Sequence, residues 1–222
     1  MIPKPTNNHD KILVFDVDGV LGDFEQLRIL RDKAHIAAVA EKKGMTIAES
    51  SILFYDTKKR LKHLGKPSTV DTMNHLGITD EEFFSIMNSV PIEGNIIPTK
   101  DVIRVLSRLS DNAVICALTN TPYEATVKTL EHLGILKFFS KIYSIDRYSY
   151  KKPSSDIFRR IATDFGCTDV YSIGDSIEKD LTPAKSIGMK TIHFPGTDKE
   201  HKDVDHSITD LKEIINILGF NH

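Results

Sequence analysis

Cysteine is scarce in this sequence, neither sign of charge dominates, and no apolar run is long. Only two cysteines, Cys116 and Cys167, occur among 222 residues, too few for a disulfide framework and without the spacing of a zinc finger. Each reads as a reduced thiol. Cys116 lies inside "AVICALT", where a thiol packs as a small hydrophobe and is hard to reach as a nucleophile. With 29 basic and 31 acidic residues the formal charge is −2. Such a balance offers no general field to a nucleic acid polymer or an anionic membrane, so any phosphate affinity must come from a local site. No apolar stretch approaches the roughly 20 residues of a bilayer span, and the opening "MIPKPTNNHD" has no apolar core of a secretion signal. The expectation is a cytoplasmic protein without a nucleic acid or membrane partner, monomeric or homodimeric. The nine histidines show no metal-ligand spacing and are expected mostly at the surface.

What is present is an ordinary globular composition, 40% hydrophobic and 27% charged, on a chain long enough for one sizeable domain or a main domain carrying an insertion. From Ala113 onward short apolar runs alternate with helical patterns. "AVICALT" precedes a helix from about Tyr123 to Leu133, and "IYSI" precedes one from about Ser155 to Phe165. "VYSIGD" precedes one from about Glu178 to Ile187, and "KTIHF" follows. Strands apolar on both faces, alternating with helices, predict a Rossmann-like α/β fold, a parallel sheet with helices on both faces. Thr121-Pro122-Tyr123-Glu124 reads as a capping box with proline in the first turn.

The first half differs. Only Lys11 to Asp16 reads as strand, and Phe24 to Val90 shows helical periods, with capping boxes at Thr46…Glu49 and Thr79…Glu82 and stops at Gly44, Gly65 and Gly77. About four helices without intervening strands predict an all-helical cap domain, residues 23–94, inserted into an α/β core of 1–22 and 95–222. Helix returns near Thr99.

Ligands of an open parallel sheet bind beyond the carboxyl ends of its strands. Four strand ends carry polar residues: Asp16 and Asp18 after "ILVF", Thr119 and Asn120 after "VICAL", Lys152 after "IYSI" and its loop, and Asp175 with Asp180 after "VYSI". A chemistry that needs this set is phosphoryl transfer through an aspartyl-phosphate, in which one carboxylate attacks phosphorus and a second acid handles the leaving-group proton. Adjacent acids repel, and Mg2+ relieves that; Asp16, the Asp18 backbone carbonyl and Asp175 are candidate hard oxygen ligands. The Thr119 hydroxyl, the adjacent Asn120 with its backbone amide, and the ammonium of Lys151 or Lys152 would hold phosphoryl oxygens. Gly19 would let the chain turn beside the phosphate.

In order, "DVDGV" from Asp16, "TN" at Thr119, "KKPSSDIF" from Lys151 and "GDSIEKDLTPAKSIGMKTI" from Gly174 resemble the four motifs of the haloacid dehalogenase-like hydrolase superfamily. The likeness runs from Lys11 to Phe194. It implies Asp16 as nucleophile and Asp18 as general acid/base. Thr119 would be the second-motif hydroxyl, Lys152, which directly precedes proline, the third-motif lysine, and Asp175 the metal acid. Asp180 would be the second acid of the last motif, standing behind the metal. Val20 departs from the threonine many members carry after the motif glycine. The helical block is similar to the family's caps inserted after the first motif, and "YDTKKRLKHLGKPSTVDTMNHLGIT" loosely resembles caps of pyrimidine 5′-nucleotidase-like members.

Taken singly, each residue has a plainer reading: strand-end acids, a strand-end threonine, a surface lysine, a helix-start acid suited to the macrodipole. The aromatics Phe54, Tyr55, Phe83 and Phe84 fall at core spacings, and Arg147 reads as a solvated loop residue within reach of a substrate anion. The reading that accounts for all four strand ends is a phosphatase acting on a small phosphorylated metabolite, a nucleotide or sugar phosphate. A phosphomutase would use the same acids. A phospho-accepting receiver module shares the acids, hydroxyl and lysine but has neither the inserted block nor GDxxxxD. A dehalogenase has no use for Asp18 as a proton carrier, and an idle scaffold has no use for intact motifs.

Overall fold

A computed structural model describes residues 10–196 and 200–220; the reading of the extreme N-terminus as lacking a signal falls on residues outside these. In chain order the elements are β1 (Lys11–Phe15), β2 (Gly22–Asp23), α1 (Glu25–Lys43), α2 (Ile47–His63), α3 (Thr69–His75), α4 (Asp80–Ser89), β3 (Ile97–Pro98) and α5 (Val102–Ser110). They continue with β4 (Val114–Thr119), α6 (Tyr123–His132), β5 (Lys141–Ser144), α7 (Ser155–Phe165), β6 (Asp169–Gly174), α8 (Thr182–Lys185), β7 (Lys190–His193), β8 (His206–Ser207) and α9 (Glu213–Ile217). Contacts divide the chain into two compact units, one up to Phe24 and from Ile97 onward, the other Glu25–Ile96.

In the first unit six strands form one sheet in the order β5-β4-β1-β6-β7-β8, every pairing parallel. Both faces are buried, as the continuous apolar runs require. Ile12 and Val14 lie level with Val114 and Cys116 and pack with Ile157, Phe158 and Ile161 of α7, while the alternate residues Leu13, Phe15, Ile115 and Ala117 are equally buried on the other face. From β1 the chain moves outward to β4 and β5, then crosses back to β6 on the other flank of β1. Strand order therefore reverses around β1, which puts the ligand-binding rim of such a sheet at the C-terminal ends of β4, β1 and β6. Burial pushes the Cys116 thiol far up from its usual range, consistent with a packing role only.

The passages leaving and re-entering this unit are paired. Gly22 and Asp23 form an antiparallel ribbon with Pro98 and Ile97, and the Thr99 hydroxyl donates to the Val20 carbonyl at 2.8 Å.

The second unit consists of α1–α4. Both anticipated capping boxes are formed: the Glu49 amide donates to Thr46 Oγ1 at 3.3 Å and the Thr46 amide returns to Glu49 Oε2 at 2.9 Å, with Thr79 and Glu82 repeating the pattern. Phe54 and Phe83 are fully buried, as their spacing predicts, whereas Tyr55 is exposed and its hydroxyl donates to Asp32 at 3.3 Å. Most of the described histidines are exposed, as expected, but His35 is not. It is 2% exposed, stacked between Phe54 and Phe83, and burial holds it below its usual pKa despite nearby Asp32.

Three further details depart from the sequence reading. The helix expected from Glu178 begins as a π-helical turn, Ile177–Leu181, before α8. The short elements β8 and α9 carry no periodic signal. The box expected at Thr121 does not form either. Pro122 occupies the N-cap of α6, the Thr121 amide donates to Thr119 Oγ1 at 3.0 Å, and the Tyr123 amide finds Asp146 Oδ1 at 2.8 Å. Arg147 lies 4.4 Å over the Tyr123 ring.

Candidate active site

The strand ends and the connection after β5 bring Asp16, Lys152, Asp175 and Asp180 together. Asp16 follows β1 directly, and its amide donates to the Ile173 carbonyl of β6 at 2.8 Å, so the sheet ladder itself fixes its backbone. Its Oδ1 accepts from the Val17 amide at 2.7 Å and lies 2.7 Å from the Lys152 ammonium. Two donors on one oxygen fix the plane of the carboxylate. Lys152 Nζ also donates to Asp180 Oδ1 at 2.6 Å, and the other Asp180 oxygen accepts from the Ser176 amide at 3.1 Å. Lys152 is 3% exposed and Asp180 2%. Of the two neighbouring lysines, Lys152 is the one whose ammonium is buried among acids.

Oxygens of Asp16, Asp175 and Asp180 all lie within 4.8 Å of one another. One ammonium faces three carboxylates, and the imbalance is visible in their protonation. Burial first, then the charge of Asp180, pushes Asp16 well above the usual carboxylate range, although Lys152 pulls it down. Burial and Asp180 also raise Asp175, which stands at the solvent side. Burial disfavours the charge on Lys152, but Asp16 and Asp180 outweigh that cost and hold the ammonium above its usual value. A pocket of hard carboxylate oxygens with surplus negative charge is the donor set that suits a small divalent cation.

Gly19 turns back toward this cluster. Its φ is +85°, and a side chain there would place Cβ 2.5 Å from Asp175 Oδ2. Asp18 sits between Asp16 and that turn and bridges to Gly22; its carboxylate is not one of the three clustered oxygens. Thr119 is 4% exposed. Since its oxygen accepts from the Thr121 amide, its own proton is the group left to donate. The side chain of Asn120 is turned to Lys152, accepting from its amide at 3.0 Å and donating to its carbonyl at 2.8 Å.

Several supporting residues had no signal strong enough to single them out. Gly174 admits Asp180, whose Cγ would lie 2.6 Å from a Cβ at that position. The Ser172 hydroxyl donates to the Asp180 carbonyl at 2.9 Å, and His193 Nε2 lies 3.2 Å from the Asp175 carbonyl. All three sit on β6 or its neighbour β7, where alternation in the sequence marks burial but not the partner.

The chain is 29% identical over 102 residues to the glyceraldehyde 3-phosphate phosphatase of Methanocaldococcus jannaschii, a match covering 42% of this chain and 45% of that protein. The chain therefore spans less than half the length of that relative. A longer match, 22% identical over 190 residues, covers 79% of the chain and 76% of the ribulose-1,5-bisphosphate 5-phosphatase of Halopiger xanaduensis. Among solved structures the fold is shared with a HAD phosphatase from Thermococcus onnurineus, with TM-score 0.73 and 23% identity over 94% of this chain and 98% of the other. It is also shared with CbbY from Rhodobacter sphaeroides, with TM-score 0.61 and 21% identity over 93% and 96%. The family model for haloacid dehalogenase-like hydrolases matches residues 11–188, a span that contains every acid, the threonine and the lysine of the site, and the chain belongs to that family.

Proposed function

We propose that this protein is a magnesium-dependent phosphatase that hydrolyses small phosphomonoesters, sugar phosphates foremost, through an aspartyl-phosphate on Asp16. The observation that carries the reading is the Lys152 ammonium held between Asp16 at 2.7 Å and Asp180 at 2.6 Å, at the rim where strand order reverses. The two curated relatives described above, each named as a phosphatase of a phosphorylated sugar, support the substrate class.

An oxygen of Asp16 forms the new bond to phosphorus while the bond from phosphorus to the ester oxygen breaks, and Asp18 gives that oxygen its proton. Water then attacks the phosphorus of the aspartyl-phosphate, Asp18 takes the proton of that water, and Asp16 leaves as carboxylate with release of inorganic phosphate. Through both steps the Lys152 ammonium, the Thr119 proton and the backbone amide of Asn120 face the phosphoryl oxygens, where charge develops. Asp180 keeps Lys152 charged and aimed, and Gly19 lets the backbone pass beside the phosphoryl group. Asp16, the Asp18 carbonyl and Asp175 would hold Mg2+, which when bound neutralises the carboxylates and the phosphoryl oxygens. Residues 25–96 contribute none of these groups and are assigned the choice of leaving group, the role of a cap.

The test is a panel of phosphomonoesters assayed with magnesium and with chelator, using wild type and Asp16→Asn, with released phosphate and sugar products both measured. Magnesium-dependent phosphate release that Asp16→Asn abolishes in a folded protein supports the reading. Rates near wild type in Asp16→Asn exclude the aspartyl-phosphate, and movement of phosphate between sugar positions without release identifies a mutase.

A further inference from the structure

Lysine is a poor choice for a fixed charge unless something fixes its backbone, because four flexible carbons separate the ammonium from Cα. Here the ammonium bridges Asp16 and Asp180 at 2.7 and 2.6 Å, yet Lys152 lies in a connection outside any strand or helix, after β5 ends at Ser144 and before α7 begins at Ser155. No sheet ladder holds its peptide groups. In place of a ladder stands one side chain. The amide of Asn120, which directly follows the last residue of β4, accepts from the Lys152 N–H at 3.0 Å and donates to the Lys152 C=O at 2.8 Å. This is the two-bond pairing that a neighbouring strand would offer, supplied by a carboxamide.

We infer that Asn120 is a positioning residue for Lys152, registering the lysine against β4 so that its ammonium reaches Asp16. The inference rests on the proposed phosphoryl-transfer role of Lys152. Two features of the geometry favour it. The carboxamide commits its oxygen and one N–H to Lys152, and a planar amide making two bonds at once has one orientation. Because β4 also carries Thr119 at its last position, the same two bonds tie the lysine to the strand that presents the hydroxyl, so the two phosphate-facing groups move as one.

Truncation in Asn120→Ala removes both bonds while leaving the Lys152 side chain intact. Misplacing a catalytic group by about 1 Å costs on the order of 10²-fold. The loss is expected in kcat, with KM changed little, since Lys152 acts on charge that develops in the transition state. Asn120→Asp preserves the acceptor for the Lys152 N–H and should retain more activity than Asn120→Ala. The decisive measurement is a double-mutant cycle. In a Lys152→Met background Asn120→Ala should have almost no further effect on kcat, whereas in an Asp18→Asn background its effect should multiply in full. A purely structural role would multiply in both, and that outcome overturns the inference.

A second readout needs no turnover. In wild type the Lys152 Nζ–H protons should be slow to exchange by 15N NMR, and in Asn120→Ala they should exchange fast enough to disappear, while the fold is checked by amide spectra. Protection unchanged in Asn120→Ala overturns the inference whatever the kinetics. Protection lost in a protein that hydrolyses no phosphomonoester upholds the positioning and removes the phosphatase reading instead.

Discussion

Replacing Gly19 with alanine separates backbone strain from damage to the site. Two costs attach to the change. A non-glycine residue at φ +85° carries about 1–2 kcal/mol of left-handed strain. The new Cβ would also stand 2.5 Å from Asp175 Oδ2 and 3.0 Å from its Cγ, well inside contact distance, so the carboxylate must swing away by about 1 Å. As the far end of a partly solvated side chain it can do so for about 1 kcal/mol of rotamer strain. The sum, about 2–3 kcal/mol, should lower Tm by roughly 4–12 °C in a chain of this size. Activity should suffer far more. A displaced Asp175 no longer faces Asp16, and kcat/KM on p-nitrophenyl phosphate is expected to fall about 10²-fold, with the magnesium requirement shifted upward.

Gly166 supplies the control. It caps α7 at φ +60°, and an added Cβ would meet nothing within 4 Å, so Gly166→Ala bears the strain without the collision. Urea unfolding and magnesium titrations of both variants complete the comparison. Gly166→Ala should lose about 1–2 kcal/mol of stability and keep its kcat/KM. Equal activity in the two variants, or a normal magnesium requirement in Gly19→Ala, would show that the approach of Gly19 to Asp175 has no part in the chemistry.

Asp18→Asn should slow turnover by about 10²–10⁴-fold while weakening magnesium less than Asp175→Ala, since its backbone carbonyl survives; equal metal loss with full rate would refute this division. Asp164 accepts from Tyr143 at 2.9 Å, Lys141 at 2.5 Å and Arg160 at 2.6 Å. Burial pushes its pKa up, but these donors outweigh burial and hold it below the usual value. Its contribution is thus complete above the unfolded carboxylate pKa of about 3.9 and disappears as pH falls through the lower folded value. Asp164→Ala, which strands the fully buried Tyr143 hydroxyl, should cost about 2 kcal/mol at pH 7 and less at pH 2, by urea unfolding; a pH-independent difference would contradict it. Exchanging residues 25–96 for another helical segment should change kcat/KM among sugar phosphates and nucleotides while magnesium-dependent hydrolysis of p-nitrophenyl phosphate persists. Unchanged selectivity would place the choice of substrate elsewhere.

What the sequence made legible was whatever short range decides. Thr46 and Glu49 close a box within one turn, so their pairing could be read from spacing, and α7 runs from Ser155 to Phe165 as its periodicity predicts. The parallel sheet followed from runs apolar on both faces, and the acids followed from their position at strand ends. Long-range partnership left weaker traces. The ribbon of β2 and β3 pairs two residues with two others across the whole helical unit, and nothing in "GD" or "IP" announces it. His35 resembles any polar helix residue until Phe54 and Phe83 close on both faces of its ring. At Thr121 local and distant preferences conflicted. Threonine before proline and three residues ahead of glutamate favours a box, yet the Thr119 hydroxyl took the Thr121 amide and Asp146 took the amide of Tyr123.

The same division of scale explains why the site's chemistry was more legible than its support. A carboxylate or a hydroxyl must sit at the rim to act at all, so strand position marks Asp16, Thr119 and Asp175, whereas Lys152, in the connection after β5, is told from Lys151 only by the proline that follows it. Orientation is fixed by groups drawn from elsewhere in the chain: Asp180 from the turn after β6, Gly174 whose missing side chain makes room for it, and Asn120, bonded to a residue 32 positions away. Asn120 stood in the candidate set for its backbone amide beside the Thr119 hydroxyl, and its side-chain amide faces Lys152. A carboxamide that meets both peptide groups of a lysine has one orientation, and under our inference the residue beside the Thr119 hydroxyl serves the lysine on the next connection.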